Sequence, residues 1–238
     1  MIGEHHFNSR WWGSSVGISN NPELLTLPAA QRASLLRHYA WVELLLPLHQ
    51  AVPYLREIAA SGFMQVDSQL NFRIHLKRLA VRSTSAMEQL TVETAVDAPP
   101  DVSSRPFAPF VYERFLALPG VDQERVDQRI ALWSEELLTA SPEHCLTILY
   151  QGRPQGWFLA RPDPDKGLNL TLAMSAANAT VSGIYLYQKA LFEYQKRGYR
   201  MGWASFSVRN SAVHNIYTSL GATFLPPTGS WFWLNTNG

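Results

Sequence analysis

The chain has 238 residues, a length that suits one large domain or two small ones. Hydrophobic residues make up 46% of it, so it can bury a core without the help of disulfides or metals. The formal net charge is +1, which gives no sign of a protein that binds nucleic acid or a membrane surface. We therefore expect neither of these as a partner.

The single cysteine, Cys145, cannot form an internal disulfide, which favours a reducing, cytoplasmic location. It opens the apolar run CLTILY, where we expect a buried structural thiol rather than a nucleophile. The first residues, MIGEHHFNSRWW, have no apolar core, so we expect no signal peptide. The cluster of Glu4, His5 and His6 has no matching ligand group nearby, and we expect no metal site.

Hydrophobic periodicity predicts alternating helices and strands in the first third of the chain. In chain order these are a helix in LPAAQRASLLRHYA, a strand in WVELLLPL, a helix in AVPYLREIAASG that stops at Gly62, and a strand in SQLNFRIHL. The polar sequence RSTSAMEQ then marks a domain boundary near residue 84. We predict an N-terminal α/β half-domain over 1–84 and a second domain over 85–238.

Strands and helices also interleave in the second part. The predicted elements are a strand in LTVETA, a helix over 123–139, a hairpin of CLTILY and QGWFLA, a strand in LNLTLAMS, a helix in SGIYLYQKALFEYQKRG, a strand in YRMGWASFSV, a further helix, and a closing strand pair in TFLPPTGSWFWLN. The apolar face of the 123–139 helix is formed by Ile130, Leu132, Trp133, Leu137 and Leu138. This order predicts a mixed α/β fold in layers.

The helix within SVRNSAVHNIYTSLGATF combines good start and stop signals with an unusual tyrosine. Asn210 is a favourable N-cap, and Gly221 ends the helix. The spacing of its apolar residues turns Tyr217 toward the core, where a tyrosine hydroxyl ordinarily finds one partner. However, the helix directly follows a strand, and open α/β sheets bind ligands at the carboxyl ends of their strands. Both a core role and a ligand role therefore stay open for Tyr217.

The pattern N-x-x-A-x-x-x-Y-x-x-L-G-x-x-F of this helix resembles that of the GNAT acyltransferases. Asn210, Tyr217, Leu220, Gly221 and Phe224 match it, whereas valine replaces the alanine at position 213. The resemblance covers about 89–236 and implies the GNAT acyl-CoA N-acyltransferase fold. YLREIAASGFMQVDSQLNFRI and IYTSLGATFLPPTGSWFWL share one order of helix, glycine, phenylalanine and strand, so we expect a smaller half-GNAT-like domain in front.

A closer resemblance, over nearly the whole chain, is to the dTDP-fucosamine acetyltransferase group. That group acetylates the amine of a nucleotide-linked deoxy sugar, and an FxxSRFxxDP pattern precedes its tryptophan-containing helix. Phe110, Arg114, Phe115 and Pro119 match this pattern, whereas Glu113 and Leu118 replace the serine and the aspartate. The resemblance implies that Arg114 and Phe115 bind the substrate.

The GNAT resemblance also implies acetyl-CoA as the acyl donor. In the family, a Q/R-x-x-G-x-G/A loop holds the pyrophosphate on free N–H groups at a helix N-terminus, where the helix dipole favours an anion. The aligned residues here are Asn178, Ala179, Thr180, Val181, Ser182 and Gly183. Only the last glycine is kept, and the Val181 side chain crowds the backbone where a phosphate must approach.

The remaining expected donor contacts and catalytic groups also follow from the resemblance. Ala173 and Met174, on the splayed and bulged fourth strand, are the expected backbone partners of the pantetheine arm, and Asn210 is a further contact. Tyr217 is the expected acid that protonates the leaving sulfur, since a tyrosine is protonated at neutral pH. The general base stays unassigned among a water chain, His214, Glu143 and His144.

These observations favour an acetyl-CoA-dependent N-acetyltransferase that acts on a small-molecule amine, with a nucleotide-linked amino sugar as one candidate acceptor. A homodimer is a candidate assembly. The alternative is a non-catalytic GNAT-like module that binds a ligand or a partner and has lost normal CoA binding, which the degenerate loop favours. A third interpretation is acylation of a protein amine, to which the scattered acidic residues give little support.

Overall fold

The structure is a computed structural model, and it describes residues 1–79, 85–165 and 167–235. The chain forms two compact units. The first unit joins Met1–Asn71 to the C-terminal segment that starts at Leu225, and the second is Phe72–Phe224.

The strands occur along the whole chain. Their bounds are β1 Gly3–Glu4, β2 Val16–Ser19, β3 Trp41–Pro47, β4 Met64–His75, β5 Leu90–Thr94, β6 Cys145–Tyr150, β7 Arg153–Asp163, β8 Gly167–Ser175, β9 Met201–Ser207, β10 Thr223–Phe224 and β11 Thr228–Leu234.

The α-helices separate most of these strands. Their bounds are α1 His6–Trp12, α2 Glu23–Thr26, α3 Ala29–Leu36, α4 Leu48–Ala51, α5 Leu55–Ala60, α6 Ser85–Glu88, α7 Gln123–Ala140, α8 Gly183–Lys196 and α9 Ser211–Ser219. Short 3₁₀ helices span Val52–Tyr54, Leu76–Arg78, Arg114–Ala117 and Pro142–His144. The mixed α/β fold expected from the sequence is confirmed.

The first unit has the strand order β1-β2-β3-β11-β4. Strands β2 and β3 run parallel, and β11 lies antiparallel to both β3 and β4. Val42, Leu44 and Leu46 alternate along β3 and pack into a core with residues of α2 and α5. Glu43 is buried on the same strand, and its Oε1 accepts a hydrogen bond of 2.6 Å from Oγ of Ser230.

The second unit has the strand order β4-β9-β8-β7-β6-β5, and β10 pairs with the end of β4. The pairs from β5 to β8 are antiparallel, whereas β8 and β9 are parallel. One face of these strands packs against α8 and α9, and Tyr187, Leu191 and Tyr194 form the buried apolar stripe of α8. Gly198 follows α8 with a φ of 89°, as expected of a helix stop.

The compact units differ from the predicted domain ranges, 1–84 and 85–238. The boundary near residue 84 lies outside the described residues. Strand β4 crosses from the first unit to the second at Asn71, and β11 belongs to the first unit although it comes last in the sequence. The two predicted closing strands pair with other strands, since β10 pairs with β4 and β11 pairs with β3 and β4. Pairing between strands that lie so far apart in the sequence cannot be predicted from the order of the elements alone.

The long helix α7 confirms one predicted element and corrects one predicted contact. Asp122 caps it, because its side chain accepts a hydrogen bond from the N–H group of Arg125. Ile130 and Leu137 are buried as predicted, but Leu132 is 45% exposed, so its assignment to the apolar face was wrong. The buried stripe includes the polar residues Arg129 and Ser134, which a count of apolar residues overlooks.

Substitution of Ile130 and Leu132 by alanine tests this orientation of α7. Ile130→Ala removes a fully buried side chain and is expected to lower the free energy of unfolding by about 2–5 kcal/mol. Leu132→Ala is the matched control on the same helix and is expected to change it by less than about 0.5 kcal/mol. Denaturant unfolding followed by circular dichroism measures both, and equal losses would contradict the orientation.

Candidate active site

The parallel strands β8 and β9 pair over only part of their length. Their registered pairs are Leu168 with Gly202 and Asn169 with Trp203. Beyond these pairs, 170–175 and 204–207 show no pairing with each other in the described chain. The two strands therefore separate toward their carboxyl ends, where an open α/β sheet offers a crevice for a ligand.

A β-bulge lies where this separation begins. In the pairing of β7 with β8, Leu159 is opposite Leu172 and Arg161 is opposite Asn169. One residue of β7 thus faces two residues of β8, so the extra residue is in β8. A bulge bends its strand and increases its twist, which gives a local cause for the departure of β8 from β9. The bulged, splayed strand that the resemblance implied is thereby present.

Helix α9 places Tyr217 in the core beside this crevice. Tyr217 is only 5% exposed, and its ring centroid lies 4.0 Å from that of Phe72 and 5.4 Å from that of Tyr187. It lines a small cavity of about 10 Å³ together with Leu170, Leu172 and Ala173 of β8. A cavity of this volume holds roughly one water molecule. The predicted core-facing orientation of Tyr217 is therefore correct.

The Tyr217 hydroxyl forms no hydrogen bond with any residue in the described ranges. By contrast, the hydroxyl of Tyr194 donates to the carbonyl oxygens of His144 and Phe158, at 2.8 and 3.0 Å. Burial raises the pKa of Tyr217 well above its ordinary value. The hydroxyl therefore stays protonated at neutral pH and keeps a donor that no described group uses.

Asn210 acts as the N-cap of α9, as predicted. Its Oδ1 accepts a hydrogen bond of 3.1 Å from the N–H group of Val213. Its Nδ2 has no partner among the described residues. Asn210 therefore fixes the start of the helix that carries Tyr217, and its amide NH₂ group remains able to donate.

The loop between β8 and α8 is held by a side chain that the sequence did not single out. Oε1 of Gln155, on β7, accepts hydrogen bonds from the N–H groups of Thr180 and Val181, at 2.8 and 3.1 Å. It also lies 3.2 Å from Oγ1 of Thr180. Gln155 is 3% exposed, whereas Thr180 is exposed and Val181 is half-buried, so a buried side chain holds a loop at the surface. A glutamine at a hairpin edge carries no sequence signal for this role.

The N-terminus of α8 is free of side-chain capping. Ser182 is the N-cap residue, and its side chain makes no capping hydrogen bond. The first N–H groups of a helix have no intrahelical partner, so those that follow Ser182, at Gly183 and Ile184, can serve a ligand. Asn178 and Ser182 are exposed on the same loop. The N–H groups of Thr180 and Val181 are bound by Gln155, whereas no side chain caps the N–H groups at the start of α8.

A larger pocket of about 460 Å³ lies against the outer side of this loop. Thr180, Val181 and Ser182 contribute one wall. Gln89, Tyr150 and Tyr185 are further lining residues that the sequence analysis missed. Their hydroxyl and amide groups give the pocket a mixed polar and apolar lining, but nothing in their spacing along the chain predicts that they meet.

The segment that carries Arg114 borders the carboxyl end of β8. The N–H group of Ala108 donates to the carbonyl oxygen of Ser175, and Phe107 forms a β-bridge with Ala176. Farther along the segment, the carbonyl oxygen of Tyr112 accepts a hydrogen bond of 3.1 Å from Arg209, just beyond β9. The segment therefore contacts residues at the carboxyl ends of both splayed strands.

Arg114 and Phe115 have different surroundings within this segment. Phe115 is fully buried, with the guanidinium carbon of Arg129 at 4.1 Å and that of Arg114 at 4.6 Å from its ring centroid. A buried ring between two cations stabilises the segment and is not open to a ligand. Arg114 is half-buried. Substrate binding by the two residues stays a prediction, and the burial of Phe115 favours an indirect role.

The candidate bases do not converge on Tyr217. Nδ1 of His144 lies 2.9 Å from Oε1 of Glu143, but the geometry does not form a hydrogen bond. Nε2 of His144 contacts the hydroxyl of Tyr199. Tyr199 precedes β9, so Glu143 and His144 lie at the amino end of that strand, opposite the splayed end. His214 is half-buried, with its ring stacked on Phe224 at 4.9 Å between centroids. None of the three is assigned as the base.

The buried thiol that the sequence predicted is confirmed. Cys145 is buried, and its Sγ lies 3.3 Å from the carbonyl oxygen of Ser141. Burial raises the pKa of the Cys145 thiol to about 12. A thiol with this pKa is not a nucleophile at neutral pH, because the reactive species is the thiolate.

Comparisons with solved structures place the chain among GNAT folds. It is similar to a GCN5-related N-acetyltransferase from Sphaerobacter thermophilus, with 17% identity, a TM-score of 0.54 and coverage of 86% of this chain and 64% of that one. It is also similar to a GNAT-family acetyltransferase from Colwellia psychrerythraea, with 14% identity, a TM-score of 0.52 and coverage of 90% and 72%. A third similar structure is a tandem GNAT protein from the clavulanic acid biosynthesis pathway. It has 13% identity and a TM-score of 0.52, and the match covers 87% of this chain and 67% of that one.

These likenesses show the fold. The chain has the GNAT fold expected from its sequence, and the tandem GNAT neighbour agrees with the additional half-domain. It spans 64% of the length of the Sphaerobacter protein. No protein-family model and no curated protein matches the chain.

The described residues contain neither a group of metal ligands nor a helix that could span a membrane. Among residues 1–79, 85–165 and 167–235, no three His, Cys, Asp or Glu side chains are grouped so that they could hold a metal ion. In the same ranges, no helix has both the length and the apolar character needed to cross a membrane.

Replacement of buried tyrosines by phenylalanine tests the state of the Tyr217 hydroxyl. Tyr217→Phe removes a group that has no described partner and is expected to change the free energy of unfolding by less than about 0.5 kcal/mol. Tyr194→Phe removes a hydroxyl that donates to two carbonyl oxygens and is expected to cost about 1–3 kcal/mol. Chemical denaturation compares them, and an equal cost for Tyr217→Phe would reveal a structural partner for its hydroxyl.

Proposed function

We propose that the chain is an acyl-CoA-dependent N-acetyltransferase that acts on a small amine. The observation that carries the proposal is the crevice between the bulged β8 and β9, with the free, protonated hydroxyl of Tyr217 beside it. The GNAT fold of the chain supports the same reaction class. If Tyr217 had only a structural role in the core, its hydroxyl would be expected to have a hydrogen-bond partner, because buried polar groups are normally hydrogen-bonded.

The residues present fit acetyl-CoA in the crevice and, in part, at the loop. Ala173 and Met174 pair with β7 but not with β9, so backbone groups on the β9 side of this part of β8 can pair with the amides of the pantetheine arm. The uncapped N-terminus of α8, with Ser182 and Gly183, can receive a phosphate group. Thr180 and Val181 fit less well, because Gln155 engages both of their N–H groups. Asn178 and Asn210 remain candidate side-chain contacts.

Acetyl-CoA supplies an activated acetyl thioester when it is bound. An amine that attacks its carbonyl carbon produces a charged oxygen, which a backbone N–H group of the bulged strand β8 can stabilise. Tyr217 holds its proton at neutral pH and can donate a hydrogen bond to the departing sulfur. Because Glu143, His144 and His214 are not assigned as the base, a water chain leading out of the crevice is the proposed route for the amine proton.

For the acceptor we propose a small amine, with a nucleotide-linked amino sugar as the candidate. The support is the position of the segment 105–115 beside the carboxyl ends of β8 and β9. Arg114 brings a guanidinium to this segment, and guanidinium groups bind phosphates in a bidentate manner. A cytoplasmic location and a homodimer remain proposals that come from the sequence.

The alternative function, a non-catalytic GNAT-like binding module, has one specific observation in its favour. Gln155 occupies the loop amides at Thr180 and Val181 with its own oxygen, as an internal acceptor. A chain that had lost donor binding would have no use for an empty phosphate loop and would satisfy its N–H groups in this way. The open Tyr217 hydroxyl favours the enzyme over this alternative.

Calorimetric titration of the purified full chain with acetyl-CoA tests the proposal first. Micromolar binding is the expected result. A lack of binding at millimolar acetyl-CoA would overturn the proposed function and favour the binding module. The same titration with ATP is a control for adventitious binding of a nucleotide.

Turnover then tests the role of Tyr217. Release of free thiol from acetyl-CoA is followed with a panel of amines that includes nucleotide-linked amino sugars. Tyr217→Phe is expected to lower kcat by about tenfold to a hundredfold without loss of fold, because it removes the proton donor. Tyr187→Phe is the matched control, a buried tyrosine 5.4 Å from Tyr217 that the mechanism does not use. An unchanged rate in Tyr217→Phe would remove that residue from the reaction.

A further inference from the structure

Gln155 binds the phosphate-loop backbone from beneath. A single oxygen, Oε1, accepts from the N–H groups of Thr180 and Val181 at 2.8 and 3.1 Å and from Oγ1 of Thr180 at 3.2 Å. Its Nε2 lies only 3.4 Å from the carbonyl oxygens of Arg153 and Pro154, on its own strand. The oxygen therefore forms the main contacts of this side chain, and all of them go to the loop.

The burial of Gln155 makes these contacts persistent. The residue is 3% exposed, and its own carbonyl oxygen accepts a hydrogen bond of 2.9 Å from the N–H group of Ala176 at the start of the loop. Withdrawal of the side chain would break two partly buried hydrogen bonds to the N–H groups of Thr180 and Val181 and would leave the buried amide of Gln155 without these partners, which is unfavourable. A bound phosphate therefore meets a loop in which two of the N–H groups already serve a neutral acceptor.

We propose that Gln155 is a specificity-determining residue of the donor site. It removes the amides of Thr180 and Val181 from phosphate recognition, so that the donor is held mainly through its pantetheine arm between β8 and β9. The donor class is then an acyl pantetheine thioester, with little dependence on the groups beyond the pantetheine. This inference rests on the proposed function, since it takes the crevice to be the donor site.

The separation of the two strands supports this division of the binding energy. Along 170–174, β8 lies beside β7 on one side and has no registered pair with β9 on the other. The edge of β8 that faces the gap therefore offers extended backbone to a ligand that carries amide groups, as pantetheine does. At the loop, the N–H groups at the start of α8 remain for an anion, whereas those of Thr180 and Val181 are already bound by Gln155. The Val181 side chain further limits the approach of a phosphate to the loop backbone.

Binding of two simple probes, CoA and pantetheine, measures this directly by calorimetry on the full chain. Their affinity ratio reports the contribution of the adenosine and phosphate groups. We expect CoA to bind less than about tenfold more tightly than pantetheine, because few charge-assisted hydrogen bonds remain at the loop. A ratio of about a hundredfold or more would overturn the inference, since it would show strong phosphate recognition despite Gln155.

Two variants of Gln155 separate release of the loop from loss of its order. Gln155→Ala removes the acceptor of the N–H groups of Thr180 and Val181, so that both can bind a phosphate. It is expected to raise the ratio of CoA affinity to pantetheine affinity at least about threefold and to leave the affinity for pantetheine unchanged. Gln155→Glu has the same length and keeps an acceptor, but its negative charge is expected to lower CoA affinity at least about threefold and to spare pantetheine. Thermal unfolding of both variants checks the fold.

The outcomes distinguish this inference from the proposed function. If Gln155→Ala weakens CoA, Gln155 organises the loop for phosphate binding, and the inference is wrong while the function stands. If Gln155→Ala does not fold, Gln155→Glu decides alone, and an unchanged ratio in that variant overturns the inference. If pantetheine and CoA both fail to bind the unaltered chain, the proposed function fails and the inference falls with it.

Discussion

The extra residue in β8 is the constraint on which the candidate site depends. It stands where the pairing of β8 with β9 ends, after Leu168 and Asn169. A bulge cannot keep register with both neighbouring strands, so the pairing with β7 resumes beyond it while the pairing with β9 does not. The crevice is therefore a property of the backbone rather than of particular side chains.

Two helices that pack on the same face of these strands complete the site. Asn210 fixes the start of α9, which sets the depth at which Tyr217 enters the core. Gln155 fixes the loop before α8, which decides the N–H groups that remain open. Helix α9 thus carries the Tyr217 hydroxyl, which has no partner in the described residues, and the loop before α8 has two N–H groups that are already engaged.

The sequence predicted those parts of the molecule that depend on local periodicity and on capping. The helices α7, α8 and α9, the stops at Gly62 and Gly198, and the inward orientation of Tyr217 all follow from spacing that is visible in the chain. Contacts between distant strands could not be predicted in this way. Gln155 contacts Thr180 only because the fold brings β7 next to the loop between β8 and α8. Leu132 is exposed because the polar residues Arg129 and Ser134 occupy the buried stripe of α7.

The late position of β11 in the sequence has a consequence for the order of folding. The second unit, Phe72–Phe224, is continuous, so all of it is synthesised before β11. The first unit begins earlier but lacks the strand that pairs with both β3 and β4 until the segment after Leu225 emerges. During synthesis, β3 and β4 therefore expose unpaired edges, which are sites of aggregation in a growing chain. The unit that is translated first is therefore the unit that is completed last.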